Sequence, residues 1–343
     1  MKFIDQVLEL YDSLSDVDFN RFNLNIDNPF SLFVGVISQD IKPQFIFNQY
    51  RKEVDAIIEK KLNIFGSEIQ VTRKLNKISF YEKSLAVNTC IIIFWILYNK
   101  VELSKSNLSD MVEALYLGSV GYRLFDVHYD DNQLGKEFAI LGNYMLHLGE
   151  ELLMEIFGYK NTFKILNKYL TQYTEAEYLE KRNRWKTCAF NWEEPEKIGY
   201  KAAPIFSIYE IIFRTAKFSD EKIKDLINAM TKISAVFQIT DDIADMHEDL
   251  NSGIETLVLS GFYEKYGTPA IIDDNMITSI LTEERTMLIY TTIQNLLEET
   301  RKILTKYEDD IFLLYLELCS YIINRMLLGK GYLEVGINNQ TIA

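Results

Sequence analysis

A chain of 343 residues with a formal charge of −14 and 48% hydrophobic content can build a large core, and its charge is the wrong sign for nucleic acid or anionic membrane as main partner. Only 5 prolines and 15 glycines punctuate it, which favours a mostly helical protein with short connections. Cys90, Cys188 and Cys319 share no short spacing. Neither a zinc knuckle nor a disulfide framework is expected, and the thiols read as reduced in a cytoplasmic protein.

Taken in chain order, residues 1–40 read as a helix and then a weakly patterned loop, with acids among the first apolar turns where a signal peptide would be uniformly apolar. A helix follows over 41–63, a break over 66–79, and an apolar helix over 85–98. The run from Cys90 to Tyr98 is the longest apolar one and is too short to span a bilayer, so stable membrane insertion is not expected. Ser109-Asp110 resembles a capped start for a helix reaching about residue 130. The next helix, 134–157, carries Gly142 and Gly149 as small residues suited to close packing. An amphipathic helix over 162–184 ends in the basic run Lys181–Lys186, and Asn191–Lys197 is the clearest loop. Helices over 198–217 and 219–249 follow, the latter stopped by Asn251-Ser252-Gly253. Two more, over 274–306 and 309–328, complete the chain. No linker or repeat marks a boundary, so the expectation is one all-α domain over 1–343.

The stretch ISAVFQITDDIADMHED, 233–249, holds Asp241, Asp245 and Asp249 at steps of four on a helical pattern, with Asp242 beside the first. Residues four apart share a helix face, and like charges stacked there cost a few tenths of a kcal/mol, roughly 0.2–0.5 per pair. By itself this row reads equally well as a solvated acidic edge. A second acidic group shifts the balance: Asp126 and Asp130 stand four apart at the end of an apolar helix, with Asp131 adjacent. Facing carboxylates without matching His or Cys suit Mg²⁺ bridging to a diphosphate better than zinc or iron. With only 3 histidines in the chain, a di-iron bundle is poorly supported.

These residues resemble the trans-isoprenyl diphosphate synthases and their class I terpene synthase relatives. Phe237-Gln238-Ile239-Thr240-Asp241-Asp242-Ile243-Ala244-Asp245 matches the family's second aspartate-rich motif, FQxxDDxxD, and 249–257 resembles the DLxxGKxTL after it. The first motif, DDxxD, matches in part, with Val127 in place of its second Asp. Lys201-Ala202-Ala203 stands where the family has Lys-Thr, and Gln172 and Glu175 resemble its Gln-x-x-Asp. No GKxxRP precedes 85–98, Leu134-Gly135-Lys136 replaces the Arg pair, and Ile254 replaces the Lys after the second motif.

The resemblance implies an all-α isoprenoid synthase bundle with a central cavity. It implies Asp126, Asp130, Asp241 and Asp245 as catalytic metal-binding carboxylates, with Asp242 and Asp249 as further ligands, for Mg²⁺, three ions when diphosphate is bound. Lys201, Arg184 and Gln238 become contacts to the substrate, and Phe94, Tyr122 and Phe125 apolar walls for an allylic cation. The substrate implied is a C10–C20 prenyl diphosphate, and a homodimer is the implied assembly. Because the residues that hold a second diphosphate are missing, the balance favours a terpene cyclase over a prenyltransferase or a non-catalytic partner subunit.

Overall fold

In a computed structural model, the structure describes residues 137–307 throughout, and in addition 101, 107, 110, 111, 113–115, 117, 118, 121, 122, 124, 125, 312, 313, 316, 319 and 320. The described residues form helices and no strand, as the composition and the family resemblance both predict. The helices are α1 Glu137–Phe157, α2 Tyr159–Arg182, α3 Ala203–Thr215, α4 Asp220–Ala244, α5 Met246–Asn251, α6 Phe262–Tyr266, α7 Asp274–Ile280 and α8 Glu283–Leu304, with a 3-10 segment at Pro195–Ala202. No helix among the described residues is long and apolar enough to cross a membrane. The helices predicted over 41–63 and 85–98 lie outside the described residues.

Several boundaries differ from the predicted ones. Asn107, upstream of the capped start expected at Ser109-Asp110, is already helical. Pro195 opens the 3-10 segment where a helix was expected from 198; proline loses nothing there, since its missing N–H has no partner in a first turn. The long helix expected over 274–306 is two helices parted at Leu281–Thr282. Asp273 caps the first by accepting the Met276 N–H at 2.9 Å, and Thr282 caps the second by accepting that of Arg285 at 3.2 Å. Both caps are of the residue types that satisfy orphan N–H groups.

The chain divides into two compact units, 1–164 with 211–217 and 165–210 with 218–343. In the first, the described helical residues between 107 and 125 and α1 touch backbone to backbone. A Cβ on Gly142 would stand 2.9 Å from the Gly121 carbonyl oxygen, and one on Gly149 at 2.9 Å from that of Ala114. The small residues predicted to allow close packing therefore do so at two levels, one heptad apart.

The second unit is built around α4. Ser219 caps it by accepting the Lys222 N–H at 3.2 Å. Ile223, Leu226, Met230, Ile233, Val236, Ile239 and Ile243 recur at steps of three and four and are all buried. Each such side chain removed from water contributes about 1.5–3 kcal/mol. The buried hydroxyls of Thr231 and Thr240 are satisfied by the carbonyls four residues back, at 2.9 and 2.8 Å. α4 packs against α8 on one side and the 3-10 segment on the other. That second contact depends on Gly199, whose Cα lies so close to the Thr231 carbonyl that a Cβ would overlap it. The approach matters because Lys201 follows two residues later.

Candidate active site

The C-terminal end of α4 carries the acidic row, and the row is not one straight helix as predicted. α4 stops at Ala244, and Asp245 takes φ −112° and ψ 17°, outside the helical region. A helix C-terminus disfavours carboxylates, because its free carbonyls already present negative charge. Yet the hydrogen bonds cross the break: the Asp245 N–H donates to the Asp241 carbonyl and the Asp249 N–H to that of Asp245, each at 2.9 Å. The three aspartates stay linked turn to turn while the chain bends between them. Asp241 and Asp245 are exposed, Asp249 is half-buried, and Asp242 is buried.

Asp242 has an incomplete set of partners. Gln238, one turn earlier, donates its Nε2–H to Asp242 Oδ1 at 2.9 Å. The other oxygen, Oδ2, is buried with no hydrogen-bond partner. Burial pushes the Asp242 carboxyl up to about 7, offset only in part by Lys201 and the Gln238 amide. Burial also pushes Asp249 up to about 8, with the Asp242 charge reinforcing it. Both carboxyls are displaced first by burial and only then by neighbouring negative charge.

Lys201 supplies positive charge to this cluster. Its Nζ donates to Glu180 Oε1 at 3.0 Å and Oε2 at 3.1 Å, and a tenth of the Glu180 side chain is exposed. Burial alone would lower the Lys201 pKa, but Glu180, Glu177 and Asp242 together hold it above its ordinary value. An ammonium has three N–H donors, and Glu180 takes two of them.

Among the described residues, no group of three or more His, Cys, Asp or Glu side chains is placed to hold a metal ion by itself. The donors present still suit a hard cation that keeps several waters: they are all oxygens, two are open to solvent, and Asp242 offers a buried oxygen that nothing satisfies.

No family model and no curated protein sequence matches the chain. Solved structures do. A decaprenyl diphosphate synthase from Rhodobacter capsulatus is 14% identical with a TM-score of 0.62, covering 83% of this chain and 98% of that one. A polyprenyl synthase from Caulobacter crescentus, complexed with calcium and isoprenyl diphosphate, is 15% identical with a TM-score of 0.61, over 81% of this chain and 95% of its own. A heptaprenyl diphosphate synthase from Staphylococcus aureus is 15% identical with a TM-score of 0.54, over 83% and 98%.

The chain has the trans-isoprenyl diphosphate synthase fold.

Within this fold, residues 237–244 form the last turns of α4 and Asp245 lies just past its end. Asp126, Asp130 and Phe94 lie outside the described residues. Tyr122 and Phe125 belong to the first unit. The Phe125 ring approaches α1 at Gly142, 3.6 Å from where a Cβ would be, and burial and the Glu150 charge raise the Tyr122 hydroxyl pKa. Arg184 is half-buried in the turn after α2. Gln172 is half-buried with its Oε1 unpartnered, whereas Glu175, three residues on, is exposed.

Sequence reasoning missed Glu180 and Glu255. Glu255 sits in the buried run 253–259 and accepts three backbone N–H groups: Cys188 and Gly261 on Oε1, each at 2.9 Å, and Tyr263 on Oε2 at 2.7 Å. It thus ties the segment after α2 to the loop after the acidic row. A second tie joins the same segments, from the Trp185 N–H to the Gly253 carbonyl at 2.7 Å. Gly253 has φ +81° and the Trp185 indole against it, so a side chain there meets both backbone strain and overlap. A lone acid inside an apolar run was the available signal for Glu255. Glu255→Ala leaves three N–H groups without their acceptor and is expected to cost roughly 3–5 kcal/mol by thermal or denaturant unfolding. Glu255→Gln keeps one oxygen able to accept two of the bonds and is expected to cost about half of that.

Proposed function

We propose that the chain is a Mg²⁺-dependent prenyl diphosphate-utilising enzyme that transfers the prenyl group to an acceptor. The observation that carries this is the linked row Asp241, Asp245 and Asp249, backed by a buried and half-satisfied Asp242, on a fold whose solved examples are named as prenyl diphosphate synthases. Those names move the preferred reading from cyclisation to transfer. The solved structures cover more of the chain than either compact unit, so 1–343 is treated as one functional domain.

In this mechanism Asp241, Asp245 and Asp249 would hold Mg²⁺, Asp126 and Asp130 are proposed as further ligands, and Gln238 orients Asp242 through its amide hydrogen bond. When bound, Mg²⁺ supplies the positive charge that stabilises a departing diphosphate. Lys201 directs its remaining N–H toward diphosphate oxygen, with Arg184 as a further cation. Phe94, Tyr122 and Phe125 are the candidate aromatic faces for the allylic cation, which an aromatic face stabilises without offering a nucleophile. The calcium and isoprenyl diphosphate of the Caulobacter crescentus structure support both ligand classes.

A cyclase is the second reading, favoured by one feature. Ile254, where the family has a lysine, is buried with 8% exposure, which leaves no cation there for a second diphosphate. Incubation with Mg²⁺ and geranyl, farnesyl or geranylgeranyl diphosphate, with and without isopentenyl diphosphate, separates the readings. Longer diphosphates formed only with the second substrate support transfer. Volatile hydrocarbon or alcohol formed without it replaces transfer by cyclisation. No pyrophosphate release from any C10–C20 substrate would sink both.

A further inference from the structure

Two buried carboxylates lie within electrostatic reach of Lys201, and it bonds only one of them. Glu180 takes the ammonium with both oxygens, at 3.0 and 3.1 Å. Asp242 feels the same charge, yet one of its oxygens is held by Gln238 and the other has no partner. A buried carboxylate oxygen without a partner is costly, and a neighbouring ammonium is the most direct remedy. The protein does not apply that remedy. Asp242 is 3% exposed and stands beside Asp241 on the last turn of α4, held there by Gln238, so the unpartnered oxygen belongs to the acidic row.

The placement of Lys201 follows from the elements that carry the pair. Glu180 projects from the last turn of α2, where helix geometry holds it. Lys201 lies in the last turn of the 3-10 segment that Gly199 brings against α4. The ammonium is therefore anchored near α4, and the Glu180 carboxylate decides on which side of its stem it sits.

We propose that Glu180 is a positioning residue that holds Lys201 off Asp242, leaving Asp242 Oδ2 available to a divalent cation. Without the Glu180 charge, the ammonium turns to the remaining carboxylates of the cluster, and Asp242 is the one with an oxygen to spare. The site then exchanges an open anionic ligand for an internal ion pair. The inference rests on the metal-dependent reading above, and the experiment separates the two.

Binding of Mn²⁺ alone to the full chain is measured by electron paramagnetic resonance or calorimetry for four proteins: the unsubstituted chain, Glu180→Gln, Lys201→Met and the double variant. Glu180→Gln is expected to weaken Mn²⁺ binding by about tenfold, roughly 1.4 kcal/mol. Removing the ammonium as well, in Glu180→Gln/Lys201→Met, is expected to restore affinity to within about threefold of Lys201→Met, less than 1 kcal/mol. A purely structural role for the pair predicts no such rescue. The double variant replaces a buried ion pair with neutral groups, a change proteins tolerate well, so the test survives if the single variant folds poorly. Equal Mn²⁺ affinity in the unsubstituted chain and Glu180→Gln overturns the positioning role alone, as does a double variant as weak as Glu180→Gln. Absence of Mn²⁺ binding by the unsubstituted chain overturns the metal reading, and the proposal with it.

Discussion

Asp241→Ala is expected to lower turnover of prenyl diphosphate by about 10²–10³-fold or more, the scale on which charge-stabilising groups act in transition states. The fold should be almost untouched. Asp241 is exposed, and its charge adds to the repulsion that raises its buried neighbour Asp242. Surface substitutions of this kind stay within about 0.5 kcal/mol, a shift of no more than roughly 2 °C in unfolding midpoint. Steady-state release of pyrophosphate and a thermal melt on the same preparation check both halves. A variant that keeps more than a tenth of the activity would remove Asp241 from the metal-binding set. Asp241→Asn sharpens the result: it keeps the shape and removes only the charge, so activity lost equally in both variants assigns the effect to charge.

Gly199→Ala is expected to have the largest effect on stability. The new Cβ would occupy the space of the Thr231 carbonyl, with the Ala235 nitrogen 3.1 Å away. Both obstacles are helix backbone, which cannot rotate aside as a side chain can. The 3-10 segment must therefore leave α4, and overpacking of this kind costs up to about 3 kcal/mol and occasionally more. In a chain of this size that is a fall of roughly 4 °C in unfolding midpoint. Activity should fall beyond what the unfolded fraction explains, because Lys201 moves with the segment. Gly118→Ala is the internal control. That glycine is helical with nothing within 4 Å of its would-be Cβ, so the substitution should stabilise by about 0.5–1 kcal/mol. If the two variants melt alike, the close approach at Gly199 is not what joins the segment to the helix.

Much of the second unit could be read from residue spacing. The apolar recurrence that predicts a helix through 233–243 is the same set of residues that α4 buries. Ser219 and Gly253 mark the ends of the α4–α5 region as their chemistry requires: a hydroxyl to accept an early N–H, and a residue that tolerates positive φ. The small residues of α1 were legible too, since glycines one heptad apart on an otherwise apolar helix have few uses besides close packing. Spacing could not show the break at Asp245. A row at steps of four looks the same whether the helix runs on or bends while keeping its hydrogen bonds. The split at Leu281–Thr282 escaped for a related reason, because two capped helices in succession carry one continuous period.

Sequence alone settled the helical class, the acidic row and the likeness to isoprenyl synthases, because helix formation and motif spacing are local properties of a chain. The tertiary structure alone decided that Asp242 is buried with an open oxygen, that Lys201 bonds Glu180, and that Glu255 collects three N–H groups. The Lys201–Glu180 pair joins positions 21 residues apart and the Cys188–Glu255 bond positions 67 apart, and the burial that raises Asp242 and Asp249 exists only once such segments have met in space.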